Sequence, residues 1–171
     1  MKKSIFALFL LFAAAFTAQA QKYALIDMEY ILEQIPAYDR ANNQLEQASQ
    51  KWQAEVEKIS KEAQTLYKNY QSVAATLSDA QRTQREEAIV AKEKAAAELR
   101  RKYFGPEGEM YKLQEELIQP IQDDIYDAVK EIATRQGYAM VIDRASASSI
   151  IFASPSIDIS NEVLAKLGYS N

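Results

Sequence analysis

From Asp39 to about Ala74 the chain contains no Gly and no Pro. Along this stretch apolar or small residues fall at Ala41, Leu45, Ala48, Trp52, Val56, Ile59, Ala63, Leu66, Tyr70, Val73 and Leu77, in steps of three and four. That is a heptad pattern with one additional four-residue step, a stutter. A helix over Arg40–Ala74 has 35 residues and a length of ~52 Å. No compact domain in a chain of 171 residues needs an element that long, so the helix is expected to project.

The chain then turns near Leu77 and comes back. Ser78 is placed as an N-cap, with Gln81 at the capping-box position and Asp79 at the positive end of the helix dipole. The return helix carries Ile89, Ala96, Leu99 and Tyr103, and Ala88, Ala91, Ala95, Ala96 and Ala97 give it a thin inner face. A small-residue seam buries little apolar surface per layer. The expected arm is therefore an antiparallel helical hairpin, a coiled coil, that bends and splays. Gly105-Pro106-Glu107-Gly108 interrupts the return helix as a kink or short break, and Pro120 adds a second bend. Helical spacing continues through Met110, Leu113, Leu117, Ile121, Ile125, Ala128 and Ile132, and Gly137 supplies the stop.

Short apolar runs lie on either side of this arm. Tyr23 to Ile26 reads as a strand, and Asp27 as the cap of a helical turn with Tyr30, Ile31 and Leu32, ended at Ile35-Pro36. Tyr138–Asp143 reads as a second strand and Ser149–Ala153 as a third, joined by a polar connection of hairpin length. A final helix carries Val163, Leu164 and Leu167, with Gly168 as its cap. The fold class is α+β: a long hairpin arm, residues 40–102, on a small β body of residues 21–39 and 103–171. Three short strands with edges as apolar as Leu25-Ile26, Met140-Val141-Ile142 and Ile150-Ile151-Phe152 are not a complete sheet. Closed pairing with copies of the same chain resolves the exposed edges, so these residues are assigned to oligomerisation.

Composition bears on function. There is no Cys and no His, which excludes a thiol nucleophile, a thiolate zinc site, an imidazole base and a Ser-His-Asp triad. Only Gly105 and Gly108 come close together, without a following Lys-Ser/Thr pair, so no phosphate loop is present. Asp123, Asp124 and Asp127 read as a solvated face rather than a metal site. No catalytic residue, cofactor or metal is assigned.

Residues 1–20 read as a secretory signal peptide: Lys2 and Lys3, an apolar run from Ser4 to Phe16, and Ala18-Gln19-Ala20 before the cleavage point. The apolar run is shorter than the ~20 residues of a membrane span. The mature chain, from Gln21, has 18 basic and 24 acidic residues, net −6. Its charge is segregated: residues 40–102 carry net +3, whereas 21–39 carry −3 and 103–171 carry −6. Arg82 and Arg85 near the tip and Arg100-Arg101-Lys102 near the base read either as charges that solvate the coiled-coil faces or as basic arm contacts for anionic clients or lipid headgroups. An acidic, exported protein is a poor ligand for nucleic acid. Trp52, Val56, Ile59, Leu66, Tyr67, Tyr70 and Ile89 are the apolar arm residues assigned to binding an unfolded chain, the alternative for Trp52, Tyr67 and Tyr70 being the core of the hairpin itself.

The chain resembles the Skp/OmpH family of periplasmic chaperones. The resemblance is carried by Lys22-Tyr23-Ala24-Leu25-Ile26-Asp27 with Ile31-Leu32 and Pro36, by the uninterrupted hairpin, by Gly137-Tyr138-Ala139-Met140-Val141-Ile142-Asp143, and by Ile157 to Leu167. The Gly105-Pro106-Glu107-Gly108 break and Pro120 resemble the forms of Bacteroidetes-type members. The resemblance implies a homotrimer in which three bodies share a β-barrel and three arms enclose a cavity. It also implies ATP-independent holding of unfolded outer-membrane proteins in the periplasm of a Gram-negative cell. The sequence pI near 5.0 departs from the strongly basic members of that family, so no lipopolysaccharide-binding motif is carried over. The rival reading is a structural coiled-coil scaffold or spacer of the envelope.

Overall fold

The structure is a computed structural model that describes residues 21–169; the expected signal peptide lies outside the described residues. In chain order the elements are β1 (Lys22–Ile26), α1 (Met28–Glu33), α2 (Pro36–Val73), α3 (Asp79–Phe104), α4 (Glu109–Gln136), β2 (Tyr138–Asp143) and α5 (Ser160–Leu167). Short 3-10 turns stand at Ala74–Thr76 and Pro155–Ile157.

The helix ends follow from local chemistry. The Tyr30 amide donates to Asp27 Oδ1 at 3.0 Å, so Asp27 caps α1. Ile35 is extended, as a residue before proline prefers, and Pro36 opens α2 with its φ already set. The 38 residues of α2 are the long helix, begun four residues earlier than the heptad pattern indicates. Ser78 and Gln81 form the expected capping box at the start of α3. Between α3 and α4 the chain makes a genuine break rather than a kink. A Cβ on Gly105 would stand 2.4 Å from the Arg101 carbonyl oxygen, and one on Gly108 would stand 2.7 Å from that of Tyr103. The turn closes because both positions lack a side chain. Helix α4 runs through Pro120 without interruption. Gly137 and Gly168 take φ of +72° and +85° and end α4 and α5.

The described chain forms two compact units, residues 21–31 with 127–169, and Leu32–Tyr126. In the first, β1 and β2 pair in parallel, with Tyr23 opposite Met140 and Leu25 opposite Ile142. Its core is built from Ala24, Leu25, Ile26 and Ile31, from Ala128 and Ile132 of α4, and from Ile159, Val163 and Leu164. Ion pairs Glu131–Lys166 at 2.7 Å and Arg135–Glu162 at 2.9 Å tie α4 to α5.

The third strand is not formed, and this corrects the sequence expectation. Residues 144–149 make turns rather than the two-residue hairpin turn that folds a chain back on its neighbour, and Ser149–Ala153 has no strand partner. The far edge of β1 is occupied instead by the chain entering α5: the Ile159 amide donates to the Leu25 carbonyl at 2.9 Å, and Asp158 bridges to Leu25. Ile151 and Phe152 are left 101% and 85% exposed. A strand exists only where a neighbouring edge accepts its hydrogen bonds, and among the described residues this segment pairs with none, the free edge of β2 included.

In the second unit α2 and α3 pack as an antiparallel hairpin. Val56 and Ala63 are buried from α2, and Ile89, Ala96 and Tyr103 from α3, each at seven-residue spacing. The broad alanine face does not materialise: Ala88, Ala91, Ala95 and Ala97 are exposed and only Ala96 is inside. Successive helical residues are rotated by ~100°, so 95, 96 and 97 cannot share one face.

Candidate functional site

Two regions present unpartnered chemistry, one in each unit. The first is the hairpin. Trp52 is half-buried and stacks on Tyr103, ring centroids 5.1 Å apart and planes within 9°. Phe104 meets both rings edge-on at 6.4 Å. Three polar rungs cross between the helices: Tyr103 donates to Glu55 at 2.5 Å, Lys92 to Glu62 at 2.7 Å, and Tyr70 to Glu86. Hydrogen bonding to Lys92 and the attraction of its charge lower the Glu62 pKa. Hydrogen bonding to a glutamate raises the pKa of Tyr70 and of Tyr103, with burial adding to it.

The apolar residues assigned to client binding are therefore not equivalent. Val56 and Ile89 are buried between the helices at 5% and 6% exposure. Ile59, Leu66 and Tyr70 are half-buried, and Tyr67 stands half-exposed. Val90 and Phe104, absent from the sequence assignment, are exposed on α3 together with Ala97 between them, again at seven-residue spacing. Their spacing was legible, but it competed with the buried Ile89, Ala96 and Tyr103 series one residue away. Two open grooves run along the hairpin. One of about 720 Å³ is lined by Ala54, Lys58, Lys61, Glu62, Leu66 and Lys92. The other, about 400 Å³, joins Gln53, Val56, Ser60 and Phe104 to Arg100.

The basic residues divide in the same way. Arg82 is committed locally: its Nε donates to the Ala74 carbonyl at 3.1 Å and closes the tip. Arg85, Arg100 and Arg101 are exposed, and the Lys102 ammonium lies over the Tyr103 ring at 5.3 Å. Arg82 and Arg101 are separated by 19 residues of one helix, ~28 Å along its axis, so tip and base clusters are distinct.

The second region lies at the carboxyl ends of β1 and β2. Of the residues assigned to oligomerisation, Leu25 and Ile26 are buried, Val141, Ile142 and Ile150 are half-buried, and Met140, Ile151 and Phe152 are exposed. Beside them sits a polar cluster that sequence reasoning missed. The Arg144 guanidinium reaches Asp27 Oδ2 at 2.9 Å and Asp158 Oδ2 at 3.5 Å. Ser160 Oγ accepts from the Asp27 amide at 2.8 Å and donates to Asp158 Oδ1 at 2.6 Å. Asp143 accepts from the amides of Met28 at 3.0 Å and Ala145 at 3.1 Å. Burial pushes the Asp143 carboxyl up, but the hydrogen bonds it accepts, from the Met28 amide first, together hold it below its usual range. The only signal in the sequence was an acid closing each apolar strand, Asp27 and Asp143.

Among the described residues no group of three or more His, Cys, Asp or Glu is placed to hold a metal ion. No helix among them is long and apolar enough to cross a membrane.

Comparison with known proteins covers nearly the whole chain. Residues 22–167 match the model of the family described as outer membrane protein (OmpH-like). The chaperone protein Skp of Yersinia enterocolitica is 29% identical over 152 residues, 89% of each chain. That of Photorhabdus laumondii is 28% identical over 167 residues, 96% of this chain and 98% of the relative. A crystal structure of an OmpH-like outer membrane chaperone from Caulobacter crescentus CB15 superposes with a TM-score of 0.65 at 14% identity, over 86% of this chain and 84% of that one. That last likeness concerns the fold. Strand, hairpin, second strand and closing helix all fall inside the matched residues, and the chain belongs to the OmpH-like outer membrane protein family.

Proposed function

We propose that the protein is an ATP-independent holdase of the periplasm, exported by cleavage of residues 1–20, that keeps unfolded outer-membrane proteins from aggregating before insertion. The observation that carries this reading is the end-to-end match to relatives named chaperone protein Skp, 89% of each chain in one case and 96% and 98% in another. The hairpin supports it. Its exposed surface mixes apolar side chains such as Tyr67, Val90 and Phe104 with basic ones such as Arg85, Arg100 and Arg101. Many weak contacts of this kind suit a client with no fixed shape, and each is individually worth little. Leu66 and Trp52, half-covered, add to the surface when the hairpin flexes. The same basic residues offer contacts to anionic lipid headgroups.

Self-association belongs to the same reading. The apolar pair Ile151-Phe152 and the open edge of β2 are both unsatisfied among the described residues. Copies that supply each other's missing strand form a closed ring, and the family resemblance supports a ring of three.

The test is a dilution assay. A urea-denatured outer-membrane barrel is diluted with stoichiometric amounts of the mature assembly, without nucleotide, and light scattering is followed. Suppressed scattering is expected. Undiminished aggregation would overturn the holdase reading and leave the coiled-coil scaffold.

A further inference from the structure

The chain between β2 and α5 is a loop closed at its base. Arg144 leaves the end of β2 and Asp158 enters α5, and the two meet at 3.5 Å. Both are fastened to the exit of β1. The Arg144 amide donates to the Ile26 carbonyl at 2.8 Å, its guanidinium holds Asp27, and Ser160 connects Asp158 back to the Asp27 amide. The two carboxylates are largely shielded, 20% and 21% exposed at the side chain. Ser160 is buried, the only polar side chain in the core of the described residues.

Between these charged posts residues 145–157 carry no charge at all. At the middle of the loop stand Ile151 and Phe152, fully or nearly fully exposed. A neutral segment can enter an interface without the cost of desolvating an ion. The edge that it fits belongs to β2. Strand β2 pairs on one side only among the described residues, and Tyr138 to Ile142 are likewise uncharged. Loop and edge are thus complementary, and both belong to this chain.

We infer that the Asp27–Arg144–Asp158 clasp is a positioning device for self-association: it holds residues 145–157 in the conformation in which Ile151 and Phe152 join the open β2 edge of a second copy. This rests on the self-association proposed above and adds the residues that prepare it. A thirteen-residue loop ordered only on contact must lose its freedom at that moment, which weakens binding. A loop tied at its base has lost part of it beforehand.

The experiment uses the mature chain, residues 21–171, with variants Arg144→Gln, Ile151→Asp, both together, and Lys130→Gln as an exposed-charge control. Sedimentation equilibrium reads assembly, and circular dichroism reads the fold. Ile151→Asp is expected to give a folded monomer. Arg144→Gln is expected to weaken assembly at least about tenfold through lost preorganisation, with Lys130→Gln unchanged. In the Ile151→Asp background, where assembly no longer contributes, Arg144→Gln is expected to move the melting midpoint by no more than about 3 °C, the scale of an ion pair whose guanidinium is half exposed and screened by water. A larger shift there would make the clasp a plain fold element and overturn the inference. So would an Arg144→Gln assembly as tight as the control while Ile151→Asp dissociates. An Ile151→Asp protein of unchanged mass would remove the proposed self-association itself, and the inference with it.

Discussion

Trp52 on α2 and Tyr103 on α3 stack nearly parallel, 5.1 Å between ring centroids, and the Tyr103 hydroxyl donates to Glu55 one helical turn further on. One aromatic pair and one charged hydrogen bond therefore meet at the same level of the hairpin. Tyr103→Ala is expected to destabilise the hairpin by about 2–4 kcal/mol, from lost packing and an abandoned acceptor. Trp52 is the only tryptophan, so its fluorescence reports the change directly. The expected result is a red-shifted emission and a lower unfolding midpoint; an unshifted spectrum would contradict the stack.

The corner between α3 and α4 depends on absent side chains. A Cβ on Gly108 would meet the Tyr103 and Lys102 carbonyl oxygens and the Gly105 nitrogen at 2.7–2.9 Å, all of them backbone. Backbone cannot step aside as a flexible side chain can. Gly108→Ala is expected to cost about 1–3 kcal/mol by overpacking, read as a lower midpoint in thermal melts.

Asp143 joins the end of β2 to the start of α1 by accepting the Met28 amide. Its carboxyl is held below the ordinary value of 3.8. A depressed folded pKa means that the stabilisation is fully present above the unfolded value and disappears as the pH falls through the folded one. Stability is therefore expected to be level above pH ~5 and to drop below pH ~4 as this carboxylate protonates. Asp143→Asn should make that acid limb shallower, with Glu62 and Glu131 still contributing to it, and lower stability at neutral pH by about 1 kcal/mol, checked by urea unfolding across the pH range.

Removing the hairpin tip, about Lys68 to Glu87, is expected to leave assembly intact and weaken client capture. Sedimentation and the scattering assay separate the two effects. Loss of assembly on tip deletion would move self-association from the β2 region to the hairpin.

Much of this molecule was legible because its signals are local. The capping box at Ser78, the stops at Gly137 and Gly168, and the seven-residue series through Val56 and Ile89 each depend on residues within one or two turns. The third strand was misread because its sequence is strand-like, whereas pairing depends on a distant edge that this segment does not reach among the described residues. The alanines were misread because composition alone does not say which of five small residues points inward. The Arg144 cluster was invisible: its members lie 117 residues apart in the case of Asp27.

The sequence by itself determined the helices, their ends and the hairpin, since hydrogen bonds between residues four apart and a repeating apolar stripe need no distant information. Only the tertiary structure decided which alanine is buried, that β1 and β2 run parallel, and that Ile151 and Phe152 are left uncovered by their own chain. Those outcomes depend on which edges and charges meet across the whole length of the chain, and no local pattern encodes that meeting.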